Sequence, residues 1–287
     1  MSLNKFAWVA LCCLAVQFSL AAAVCEDDSD CAAFPKEVSA GEHAMLQQGS
    51  LHSVGVHVAE GSSRVKGAPC VCEKANHRWK PCTRTEAKCI FIDLGAADGN
   101  TFNSFLANGY GNLTTCPNGA ESWESILVEA NPKFQTPLTG EAAKFPTGKV
   151  TSLYSTAAYM CEGQTSFFLD TNDATNNWGS SMSGNHPDVV NGKMNVTVPT
   201  MNLNRILVEH TIPGDHVMVK MDIEGAEFDT LPCLAESPSA SLVDMLFLEE
   251  HQPEWGNIGT TVAGLQAAKA TLMSKGVQIP EYFSHTL

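Results

Sequence analysis

Beyond Cys89 the chain is built from short, uninterrupted apolar runs, each followed by a helix-like or turn-like segment. Ile90 to Leu94 (IFIDL) predicts a buried strand that ends in the turn Gly95 to Gly99, with a helix from about Asn100 to Ala107. Ser125 to Glu129 predicts a second strand and Val150 to Ala158 a third. His216 to Asp222 predicts another, followed by a short helix over roughly Glu224 to Leu231 that Pro232 is expected to stop. Leu242 to Glu249 predicts one more strand, and Thr261 to Lys275 a closing helix. Runs that are continuously apolar belong to strands covered on both faces, so their alternation with helices implies a doubly wound, mostly parallel α/β sheet. Sheets of this class bind ligands outside the carboxyl ends of their strands.

The pattern breaks between Ser166 and Leu207. Thr165 to Leu169 and Met194 to Val198 predict an inserted antiparallel hairpin, joined by the polar loop Asp170 to Gly192. No internal repeat is present. Residues 24–88 are polar and lack apolar periodicity, which predicts a cysteine-rich N-terminal extension ahead of a domain over 89–287. Its acidic knot, Cys25 to Cys31 (CEDDSDC), lacks the spacing of a calcium loop and reads as a solvated surface run. At the start, Lys5 precedes a nearly uncharged run from Phe6 to Val24 that closes on Ala21, Ala22 and Ala23. Residues 1–23 therefore read as a signal peptide cleaved after Ala23, the alternative being an uncleaved anchor, since a bilayer core takes about 20 apolar residues.

Composition narrows the picture. Hydrophobic residues make up 44% and charged residues 17%, which fits an ordinary globular protein rather than a disordered one. A net charge of -14 argues against a nucleic-acid partner, which would require an excess of Lys and Arg. Apart from Cys12 and Cys13 in the leader, the cysteines crowd toward the front of the chain, at Cys25, Cys31, Cys70, Cys72, Cys82 and Cys89. That density predicts disulfides; a zinc site is disfavoured because no pair of C-x-x-C knuckles occurs. Asn112-Leu-Thr and Asn195-Val-Thr are glycosylation sequons. Together these features predict the secretory pathway, either secretion or residence in the ER or Golgi lumen.

The chemistry-bearing residues fall at the predicted strand ends. In Asp93-Leu-Gly-Ala-Ala-Asp-Gly99 an acidic strand end meets two glycines four residues apart, where a ligand can approach the backbone and a following helix offers free N–H groups. The spacing is not the G-x-G-x-x-G of dinucleotide binders. Glu129 ends the next strand, where a carboxylate can accept ribose hydroxyls, and Asn131-Pro132 follows it. Asp222 and Glu224 come where a buried strand turns into a helix, with Gly225 and Ala226 small enough for close packing. His251 follows Glu249-Glu250 at the end of the next strand and is a candidate base, since imidazole titrates near neutrality. Each has a structural alternative: a tight turn without ligand for the glycines, helix capping for Glu224, a core histidine for His251.

Taken in order, FIDLGAADGNT, ILVEANP, VPTMNLNRIL, VKMDIEGAEFDTL and FLEEH resemble the FkbM family of S-adenosylmethionine-dependent methyltransferases, over roughly Cys89 to Val277. The resemblance implies a class I, Rossmann-like methyltransferase fold with S-adenosylmethionine as cofactor. It assigns Asp93, Gly95 and Gly99 to the cofactor loop, Glu129 to the ribose and Asp222 to the active-site edge; Ala96 and Asp98 within the loop and Asn131 after Glu129 join them as cofactor-binding candidates. Two departures stand out. Only Gln278 to Leu287 remain after the last helix, where the family has two further strands, and the segment Asn112 to Glu121 is long.

The expected function is methyl transfer to a hydroxyl of a glycan or small secreted metabolite, with Asp222, Glu224 or His251 as base; a metal held by Asp222 and Glu224 is the disfavoured alternative, because the sequence offers no dedicated ligand cluster. The rivals are a secreted binding or structural protein that keeps the fold without catalysis, and a nicotinamide enzyme.

Overall fold

The computed structural model describes residues 70–111, 116, 122–189, 194–255 and 261–282. The leader, the acidic knot and the Asn112 sequon lie outside these residues, as does most of the long segment before the second strand.

Five strands, β1 (Cys89–Leu94), β2 (Glu124–Glu129), β3 (Val150–Tyr154), β7 (His216–Met221) and β8 (Met245–Leu248), form one sheet in the order β3-β2-β1-β7-β8. Every pairing in it is parallel. Alternate residues of each strand enter different cores. Ile90, Ile92, Val217, Val219 and Leu246 pack with α3 (Leu203–His210), α4 (Glu227–Ala235) and α5 (Val262–Ser274). Phe91, Leu127, Met218 and Phe247 pack with α1 (Asn100–Leu106), with Leu138 of α2 (Gln135–Ala142), and with Trp123. Both faces are thus covered, which is why the strands read as unbroken apolar runs. The two faces differ in texture: the first is aliphatic, whereas on the second Phe91 stacks on Phe105 with ring centroids 4.0 Å apart.

Three sequence expectations need correction. Val150 to Ala158 is two strands, because Ser155 turns the backbone into the left-handed region (φ 51°) and β4 (Ala157–Tyr159) leaves for a second sheet. There it lies parallel to β6 (Asn195–Asn202), which also pairs antiparallel with β5 (Gly163–Phe168), so the inserted hairpin is part of a three-stranded sheet. The helix expected from Glu224 begins at Glu227, since Glu224 (φ 54°) and Gly225 (φ 102°) hold backbone angles that an α-helix excludes. It runs through Pro232 to Ala235, because Leu231, Cys233, Leu234 and Ala235 are all buried and their packing outweighs the one hydrogen bond the proline omits. Finally, β8 starts at Met245, after a 3-10 turn over Pro238–Leu242. Helices α2 and α3 were not anticipated.

All seven described cysteines are in disulfides. Cys70–Cys161 and Cys72–Cys233 fasten the segment ahead of β1 to the second sheet and to α4, and Cys89–Cys116 reaches from β1 into the long segment before β2. The same N-terminal segment is held by the bidentate pair of Arg84 with Asp215, at 2.8 and 2.6 Å. After α5, the described residues add to the sheet only an isolated parallel bridge of Gln278 to Met245. No helix among the described residues is long and apolar enough to cross a membrane.

Candidate active site

The carboxyl ends of β1, β2, β7 and β8 converge, and each turn there has a local cause. Gly95 (φ 80°) leaves β1 so close to β7 that a Cβ on it would lie 1.8 Å from the Asp222 carbonyl oxygen. Gly99 (φ 90°) lies under α2, where a Cβ would stand 2.9 Å from Glu141 Cγ. Both glycines therefore serve approach of protein to protein, a reason the sequence alone did not give. Between them Ala97 also takes a positive φ (45°), a strained conformation held by its N–H donating to Glu129 Oε2 at 2.8 Å. The other Glu129 oxygen accepts the Asn131 N–H at 2.6 Å. Burial raises the Glu129 carboxyl to about 7, against the pull of these two N–H donors.

Behind the loop sits a group that sequence reasoning passed over. Lys220 is fully buried in β7, opposite Asp93 in the strand register. Its ammonium donates to the Gly95 carbonyl at 2.8 Å and stands 3.3 Å from both Asp93 Oδ1 and Asp222 Oδ2. Burial opposes its charge, yet the carboxylates of Asp222 and Asp93 raise its pKa above the ordinary lysine value. Asp93 in turn accepts from Thr101 Oγ1 at 2.6 Å, which ties the first turn of α1 to β1. The available signal was the single cation inside the apolar run HVMVKM.

Asp222, Glu224 and His251 meet at the ends of β7 and β8. His251 Nε2 lies 3.7 Å from Asp222 Oδ1 and 3.3 Å from Glu224 Oε2, while its Nδ1 lies 3.0 Å from Glu227 Oε1. Burial disfavours the imidazolium, but Glu227, Glu224 and Asp222 outweigh it and raise His251 to about 10. Glu227 is fully buried and accepts the N–H groups of Ile223 at 2.6 Å and Gly225 at 2.8 Å, fixing the sharp turn before α4. Burial raises the Glu224 carboxyl, against His186 and His251; Asp222 is lowered because Lys220 and His251 outweigh its burial. The inserted loop clamps this turn from outside: Ser181 Oγ donates to the Glu224 carbonyl at 2.6 Å, and His186 Nε2 is 2.9 Å from Glu224 Oε2. Glu227 was visible in the quoted motif without a role; nothing in the sequence tied His186 to it.

These elements surround a cleft with about 850 Å3 of empty space, a volume that includes the solvent at its open mouth. Of the residues singled out from sequence, Gly95, Glu129, Asp222 and Glu224 line it. Val128, Ala130, Phe134, Ala157 and Phe167 give it an apolar wall, and Trp178, Ser180 and Met182 bring the inserted loop to its edge. The other sequence candidates stand outside the lining. Asp93 lies beneath the loop on Lys220, Ala96 points into the aromatic core, and Asp98 Oδ1 accepts the Asn100 N–H at 3.2 Å. Asn131 is buried, accepting from Lys133 N–H and donating to Ser180 Oγ, each at 3.0 Å. His251 stands behind the two acids. Where the sequence showed no ligand cluster, the fold brings Asp222, Glu224 and His251 together, each with a donor atom and all within 4.8 Å of one another, because two strand ends far apart in sequence are neighbours in space.

The family model described as the methyltransferase FkbM domain matches residues 93–278, which run from the end of β1 through the rest of the sheet, the insertion and every residue lining this cleft. No curated protein and no solved structure matches the chain.

Proposed function

This chain belongs to the FkbM methyltransferase family, and we propose that it carries the methyl group of S-adenosylmethionine to a hydroxyl of a glycan or small secreted metabolite. One observation carries the reading: Gly95 after β1, Glu129 at the end of β2, and Asp222 and Glu224 after β7 line a single cleft at the carboxyl ends of a parallel sheet. The lining fits the cofactor's parts. Glu129 would hold the ribose hydroxyls, and Val128, Ala130 and Phe134 offer an apolar wall to the adenine. When bound, the cofactor supplies an electrophilic methyl carbon on a positively charged sulfur. Asp222 and Glu224 place negative charge beside that centre and orient the acceptor. A hydroxyl barely ionises near neutrality, so one of the two cleft-facing acids takes its proton, with His251 behind them hydrogen-bonding to the loaded carboxyl.

The compartment is part of the proposal. The apolar leader Phe6 to Val24, the disulfides of all described cysteines and the exposed Asn195 sequon at the start of β6 support a secreted or lumenal enzyme.

Titration calorimetry with S-adenosylhomocysteine on the oxidised protein tests the reading. Saturable binding is expected, and Glu129→Gln should weaken it roughly tenfold or more, the worth of hydrogen bonds to a charged acceptor. Absence of binding by folded protein would leave the cleft without its donor. Isotope-labelled cofactor, followed by mass spectrometry of candidate glycans and metabolites, then identifies the acceptor.

A further inference from the structure

The donors at the acceptor edge support a second kind of chemistry. We propose that Asp222, Glu224 and His251 bind a divalent transition-metal cation, of which zinc and manganese(II) are the probes. Ligands about 2.0–2.2 Å from a tetrahedral metal stand roughly 3.4 Å from one another. His251 Nε2 already lies 3.3 Å from Glu224 Oε2 and 3.7 Å from Asp222 Oδ1. The imidazole is also oriented as metal-binding histidines are, with its far nitrogen on a carboxylate: Nδ1 lies 3.0 Å from Glu227 Oε1. Glu227 cannot turn away, because both of its oxygens accept backbone N–H groups of the turn. A histidine beside two carboxylates selects for zinc or manganese over magnesium and calcium, which prefer all-oxygen shells.

Charge points the same way. Asp93, Asp222, Glu224, Glu227 and Glu249 gather around Lys220 and His251, so acidic groups outnumber basic ones at this largely buried rim. A dication between Asp222 and Glu224 redresses that balance. His186, whose Nδ1 accepts the Asp188 N–H at 3.2 Å, donates from Nε2 to the same Glu224 oxygen at 2.9 Å and so holds that carboxylate in place. The role assigned to the cation rests on the methyltransferase reading: it takes the acceptor's hydroxyl oxygen as a further ligand and lowers that hydroxyl's pKa, and the proton leaves to water instead of to a carboxylate.

The test uses the full oxidised protein, stripped with a chelator and titrated with zinc chloride, manganese chloride and magnesium chloride by calorimetry. Trp255 gives a second signal, its ring lying 4.0 Å from that of His186 and 5.4 Å from that of His251. Binding of one equivalent of zinc or manganese, without competition from equal magnesium, is expected. Glu227→Gln should weaken it by about 10–100-fold, and His251→Ala and Glu224→Gln should abolish it. Far-UV circular dichroism and a cooperative thermal unfolding transition, measured on the same samples, show that each variant is folded. No metal binding, or metal binding unchanged in folded His251→Ala and Glu224→Gln, overturns the proposal while cofactor binding keeps the methyltransferase reading intact. Metal binding without any cofactor binding would instead overturn that reading alone.

Discussion

The middles of β1, β2, β7 and β8 and their carboxyl ends are a few residues apart and built to different rules. In the middles, Ile92, Leu127, Val219 and Leu246 are fully buried and apolar, and backbone angles are ordinary. At the ends, the ionisable side chains of Asp93, Glu129 and Lys220 are buried, and Ala97 and Glu224 hold positive φ angles that cost energy in any residue but glycine. Burying charge and strain is unfavourable on its own, so the apolar middles must stabilise the fold enough to hold the rim in place. The lesson is that stability and chemistry are separated along each strand, and not between domains.

The strongest challenge to that separation is Lys220→Met. It leaves Asp93 and Asp222 facing each other without their shared cation, and a loss of about 3–5 kcal/mol in denaturant unfolding is expected, together with loss of S-adenosylhomocysteine binding. A variant as stable as the parent would mean that the rim charges are not held against a cost. Leu207→Ala, in the aliphatic core beneath α3, should cost about 2–5 kcal/mol by opening a cavity, yet leave cofactor affinity of the folded protein unchanged. A fall in affinity there would couple the two regions.

A smaller and more graded effect comes from pH. His210, at the end of α3, is lowered by burial to about 4, whereas His251 at the rim is raised to about 10. The unfolded chain protonates His210 near its ordinary 6.5, so between 6.5 and 4 it holds more protons than the folded chain. This contribution to stability is therefore complete above about 6.5 and is lost as pH falls toward 4, by about 3 kcal/mol in all. Comparing the unfolding free energies of the parent and His210→Gln over that window isolates it: the parent should show the extra slope and the variant should not.

Much of the body was legible because periodicity reports burial. Unbroken runs such as IFIDL and HVMVKM announce strands covered on both faces, and the helix expected over Thr261 to Lys275 is α5. Val150 to Ala158 was misread because both halves of the run are apolar and only the φ of Ser155 separates two sheets. At the rim, the acids of three motifs could be named, but not the pairings that give them their chemistry. Lys220 meets Asp93 across a strand pair, and His251 meets Glu227 across the turn before α4, contacts that the chain order does not encode. Gly95 was singled out for the approach of a ligand to the backbone; the structure adds that the carbonyl of Asp222 leaves no room for a Cβ there.

The disulfides carry a consequence for how the molecule is made. Cys72 waits for Cys233, 161 residues later, and at ribosomal speeds of about 5–20 residues per second that is roughly 8–32 s of chain growth. Cys70 waits in parallel for Cys161, so two neighbouring thiols are held open, prone to premature partners, until the insertion and α4 emerge. The segment ahead of β1 is translated well before the parts it is fastened to, which gives thiol exchange during biogenesis a place in the making of this architecture.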